Sequence, residues 1–129
     1  LPLVSGSVDL VISNYCLHHL SHVEKLVALA ELHRILRPGG RLVLGDMMFK
    51  VALADGRDRA VVMAKVKAML AKGPAGILRL IRNAARLLMG RWERPASGDW
   101  WRNALAQTGF TRIDLELAEH EGGIVEGWR

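Results

Sequence analysis

The stretch from Val8 to Asp46 constrains the fold most, because two strand-like runs flank one helix-like run. Val8-Asp9-Leu10-Val11-Ile12-Ser13 is short, apolar and rich in β-branched residues, the pattern of a strand buried on both faces. Ser21-His22-Val23-Glu24 then fits a capping box, in which serine and glutamate each satisfy the other's backbone N–H. The spacing predicts a helix to about Leu36, with Leu29, Leu32 and Leu36 on one stripe and Leu26 and Ile35 beside it. Pro38-Gly39-Gly40 stops that helix, and Arg41 to Asp46 reads as a second buried strand ending in a carboxylate. Two buried strands joined by one helix make a βαβ unit, with parallel strands and a right-handed crossover expected. Asp9, early in the first strand, is expected to hold the turn at Ser5 to Ser7.

Beyond Asp46, Met47-Met48-Phe49 reads as local core, since flexible apolar side chains fill irregular gaps. Residues 1–49 are therefore one βαβ block, 50–98 a basic helical insertion, and 99–129 a terminal helix and antiparallel hairpin of the same domain as the first block. The insertion is where the charge sits. From Lys50 to Arg94 there are eleven basic residues against three acidic ones, and elsewhere seven against ten, so the overall +5 belongs to the insertion. Asp55-Gly56 is a turn signal, and Gly73-Pro74 separates helices expected over Asp58 to Lys72 and Ala75 to Gly90. In the second helix Arg79, Arg82, Asn83 and Arg86 fall on one narrow stripe, and apolar residues fill the rest. Such a helix can be plain core, a lid over a substrate, or a membrane-interface helix with its arginines at the headgroups. Asp99 is the expected N-cap of a helix from Trp100 to Thr108 stopped by Gly109, with Trp100 or Trp101 packed on the sheet. Phe110 to Leu117 alternates as a strand with one wet face, Glu121-Gly122-Gly123 turns, and Ile124 to Arg129 returns.

Leu1-Pro2, Ser7 to Val11, Leu17-His18-His19-Leu20 and Glu31 to Leu42, in this order and spacing, resemble the second half of a class I S-adenosylmethionine-dependent methyltransferase of the small-molecule branch. The resemblance is close to about Asp46, loose from Asp99 to Arg129, and silent between. It implies a Rossmann-like α/β fold with S-adenosyl-L-methionine as cofactor. It also implies methyl transfer to a small molecule. The family's Gly-rich cofactor loop, after the first strand of its first half, has no counterpart in these 129 residues. Together with Leu1 in place of an initiator methionine, this reads as a fragment of a longer protein, inactive by itself.

Ser13 to Leu20 leaves the carboxyl end of a strand, where ligands bind in open α/β sheets. By resemblance Ser13, Asn14 and Tyr15 contact the cofactor, and His18 and His19 wall the substrate pocket. His19 is the favoured general base, able to take a proton from a substrate hydroxyl or amine. Against this, Asn14 can cap a turn and Tyr15 can pack on the next element. Asp46 ends the second strand at the same edge; substrate, water, a partner histidine, a helix end or the basic insertion can each engage it. The apolar face of the second insertion helix points to an apolar or amphiphilic acceptor, whose anionic group would pair with Arg79, Arg82 or Arg86.

Other classes fit less well. Cys16, His18, His19 and His22 lack the spacing of zinc pairs, so no metal is expected. No oxyanion motif accompanies Cys16 for a Cys-His hydrolase. Ser13-Asn14-Tyr15-Cys16 differs from the Asn/Asp-Pro-Pro-aromatic of base-amine methyltransferases, and the basic stripe lacks interleaved aromatics for stacking bases. A non-catalytic methyltransferase-like binding module is the alternative reading. No apolar run reaches membrane-span length, and the single cysteine suits a reducing compartment, expected to be the cytoplasm.

Overall fold

The computed structural model describes residues 1–49, 56–88, 94–118 and 121–129, with only the backbone of 86–88. The chain forms two compact units: Leu1–Phe49 with Arg94–Arg129, and Lys50–Glu93. The sequence reading carried the insertion on to residue 98. The chain rejoins the first unit at Arg94, whose N–H donates to the His18 carbonyl at 2.6 Å.

In the first unit β1 (Val8–Asn14) leads through a single 3-10 turn (Leu17–His19) to α1 (His22–Ile35) and β2 (Leu36–Met47). The capping box forms as read: Ser21 Oγ accepts from the Glu24 N–H at 3.3 Å, and Glu24 Oε2 accepts from the Ser21 N–H at 2.7 Å. β1 and β2 pair in parallel, Leu10 opposite Arg41 and Asn14 opposite Gly45. Pro38-Gly39-Gly40 ends α1 but lies inside β2, in a register irregularity that Gly39 accommodates at φ +75°. Asp9 pairs with Arg37 rather than with the turn, which Ser7 Oγ holds by donating to the Val4 carbonyl at 2.7 Å.

After the second unit, α4 (Gly98–Gln107) is followed by β3 (Thr111–Leu117) and β4 (Gly122–Trp128). The N-cap of α4 is Ser97, not Asp99; its hydroxyl accepts from the Trp100 N–H, and Asp99 sits in the first turn. β4 inserts between β2 and β3, antiparallel to both, giving the order β1-β2-β4-β3. One sheet face packs on α1 and α4. There Leu29, Leu36, Leu42, Leu44, Trp101, Leu105, Phe110 and Val125 form the core, joined by Met48. The other face carries Leu10, Ile12 and Ile124, at 48%, 69% and 46% exposure.

The second unit contains α2 (Gly56–Leu70) and α3 (Pro74–Leu88), packed on one another. They meet closely at Gly76, where a Cβ would fall 1.7 Å from the Met69 carbonyl oxygen. Asn83 also faces α2, with Nδ2 4.0 Å from Met69 Sδ, so it leaves the predicted arginine stripe. Arg79 and Arg82 are exposed, as are Ile77, Leu78 and Ile81. The Arg86 side chain, the Asp55 half of the turn signal and the predicted helix end at Met89-Gly90 lie outside the described residues.

Candidate functional site at the carboxyl edge of the sheet

The carboxyl ends of β1 and β2 lie side by side, and the residues that close them are polar. Asp46 is 1% exposed, and a bare carboxylate there would be prohibitively costly. The chain supplies the compensation. Asp46 Oδ2 accepts from the backbone N–H groups of Leu17 and His18 at 2.9 and 3.0 Å. Oδ1 lies 2.6 Å from His18 Nδ1 and accepts from the Met47 N–H at 2.7 Å. Of the partners open to Asp46 in the sequence, the structure selects the histidine and the buried N-terminal end of the 3-10 turn. With Nδ1 donating to the carboxylate, a neutral His18 ring keeps its lone pair on Nε2.

His18 is itself buried and holds the loop together through Asp46. His19 is exposed, its ring 4.0 Å from that of His18 between centroids. Tyr15 meets His18 edge to face at 6.1 Å and takes φ +48°, a left-handed turn that aims its half-exposed ring across the strand ends. Ser13 is half-buried and Asn14 exposed. Cys16 is an exposed free thiol.

The loop is fastened from behind by Lys25, which is fully buried on α1. Its ammonium donates to the Leu20 carbonyl and, at 2.6 Å, to the Arg94 carbonyl. Burial pushes its pKa down from the usual lysine value, against the pull of Asp46. Nothing in the sequence pattern marked Lys25, because its two acceptors are backbone atoms.

Beside this loop a hollow of about 260 Å³ opens on the sheet face away from α1 and α4, lined by Asn14, Tyr15, Gly45, Glu116, Ala118, Gly122, Gly123 and Ile124. Asn14, Gly45, Ile124 and Glu116 are one row across all four strands. Glycines make the depth: a Cβ on Gly45 would sit 2.9 Å from Asn14 Oδ1, and one on Gly122 would sit 2.9 Å from the Tyr15 hydroxyl. Sequence reasoning found Asn14 and Tyr15 but missed Glu116 and the glycines, which join the site only through strand pairing. Arg79 and Arg82 belong to the second unit. Among the described residues no cluster of His, Cys, Asp and Glu is arranged to hold a metal.

The sheet order, with an antiparallel strand between β2 and β3, and helices packed as described define a Rossmann-like α/β fold. Residues 1–44 match a family described as a methyltransferase domain. Uncharacterized methyltransferases of Bacillus thuringiensis and Bacillus mycoides are 40% identical over 62 residues, which is 48% of this chain and only 28% of each relative. A SAM-dependent methyltransferase of Thermotoga maritima superposes with a TM-score of 0.62 at 17% identity, over 99% of this chain and 59% of that one. Human N-acetylserotonin methyltransferase, solved with SAM, gives 0.60 at 15% identity, over 94% and 29%. The fold is that of solved S-adenosylmethionine-dependent methyltransferases, and residues 1–44 are similar to a methyltransferase domain.

Proposed function

We propose that the protein to which this chain belongs transfers a methyl group from S-adenosyl-L-methionine to a small apolar or amphiphilic molecule. The observation that carries this is the position of Asn14 and Tyr15. They lie within the stretch that matches the methyltransferase domain, at the carboxyl end of β1, beside a cradle that side chains on Gly45 and Gly122 would fill. Ser13, Asn14 and Tyr15 are the residues that would hold the methionine end of the cofactor, which supplies an activated methyl on a sulfonium. The chain's own contribution is largely positioning, since an in-line displacement needs the acceptor and the methyl aligned more than it needs a catalytic group.

His19 is the imidazole we assign to proton removal from the acceptor, because its ring is exposed while His18 is committed to Asp46. The amphipathic α3, with exposed Arg79 and Arg82, supports an apolar or amphiphilic acceptor by the same reasoning as in the sequence. Among the described residues no helix is long and apolar enough to cross a membrane, and the lone cysteine favours the cytoplasm.

Calorimetric titration of the full-length protein with S-adenosylmethionine tests the reading. Tyr15→Ala and Asn14→Ala should each weaken binding about tenfold, the loss of one good contact. Wild-type affinity in both variants would move the cofactor elsewhere. His19→Ala should lower turnover while sparing cofactor affinity.

A further inference from the structure

We propose that the hollow beside Asn14 and Tyr15 binds the protonated amine of a small amphiphilic molecule, with the Glu116 carboxylate as its charge partner. This deepens the methyl-transfer reading by naming the polar end of the acceptor. The volume, about 260 Å³, suits a small molecule. Its floor is apolar, with Ile124 at 46% exposure and Ala118 beside it. Its polar atoms are the Asn14 amide, the Tyr15 hydroxyl and the Glu116 carboxylate, all able to accept a hydrogen bond. Among the described residues no lysine or arginine lines it.

The surrounding charge has the same sign. From Thr111 to Arg129 there are five acidic residues against two arginines. Arg129 is turned away, donating to the carbonyls of Arg34 and Leu36. Glu126 is paired with Arg41, whereas Glu116 has no ion pair among the described residues and faces Ile124 across the strand. A carboxylate opposite an isoleucine gains nothing from its cross-strand neighbour. An ammonium held there gains a charge-assisted bond, and its apolar body covers Ile124. A carboxylate in the same place would be repelled, and a hydroxyl would lose the charge.

The test uses the full-length protein and three probes with one aromatic body: phenethylamine, phenethyl alcohol and hydrocinnamate. Calorimetry should give the amine about tenfold tighter binding than the alcohol, the increment of a bond between charged partners, and the acid weaker still. Glu116→Gln should bring the amine to the level of the alcohol. Asp114→Asn, on the same strand and face but outside the hollow, should leave the preference intact. Equal binding of the three probes, a preference that survives Glu116→Gln, or no amine binding at millimolar concentration would overturn the proposal. Each titration uses the probe without cofactor, so a failure of S-adenosylmethionine binding is read separately and leaves this result standing.

Discussion

Asp46 carries the most interactions of any single side chain in the site. Its two oxygens receive three backbone N–H groups and one imidazole in a position water does not reach. Asp46→Asn would point an amide N–H₂ at donors and remove the charge they were arranged around. The expected cost is about 3 kcal/mol, the usual range for breaking a buried charged network by one partner. Urea unfolding should show it as a lower midpoint at unchanged slope. The residue was visible in the sequence as a carboxylate ending a strand, but its partner was not. His18 lies 28 positions away and comes back only because Cys16 to Leu20 winds into a 3-10 turn, a local geometry with no hydrophobic period to announce it. The positive φ of Tyr15 was hidden for the same reason.

Elements were legible where their signals are local. The α1 cap needs only residues three apart, and Ser21 and Glu24 supply it. Near α4 two polar residues compete, and Ser97 takes the cap that Asp99 seemed to offer. The β3–β4 hairpin was read from its alternation, but its placement beside β2, which builds the hollow, depends on long-range pairing. α3 was recognised by its arginine stripe, but Asn83, read into that stripe, faces α2, and Gly76 joins it in that contact. Gly76→Ala should therefore separate α2 from α3, because a methyl cannot share space with the Met69 carbonyl. Hydrogen exchange should rise across residues 56–88 and stay unchanged in β2 and β4.

At the scale of the whole molecule, two histidines are expected to contribute to the response to acid. Burial lowers the pKa of His22, helped by Lys25 and Arg94; burial likewise lowers that of His33, helped by Arg129 and opposed by a hydrogen bond with Gly109. His22 stacks on Trp100 at 4.6 Å, and His33 meets Phe110 edge to face at 5.0 Å. Both hold a proton less readily folded than unfolded. Their contribution is thus fully present above the ordinary histidine pKa of about 6.5 and is lost as pH falls through and below it. The melting temperature should drop between pH ~7 and ~5, and the double variant His22→Gln, His33→Gln should flatten that slope. An unchanged slope would overturn that assignment, because Glu31, whose bond to Arg34 holds it down to about 2, loses its contribution only below about pH 5.

Met48 donates to the Glu121 carbonyl, and Arg94 is tied to both His18 and Lys25. Both points where the helical unit leaves and re-enters the sheet are thus anchored by residues outside it. The two ends of the first unit are therefore held by contacts of its own, whatever segment runs between them. A gene could trade residues 50–93 for a different helical hairpin and keep the sheet, the loop and the hollow intact.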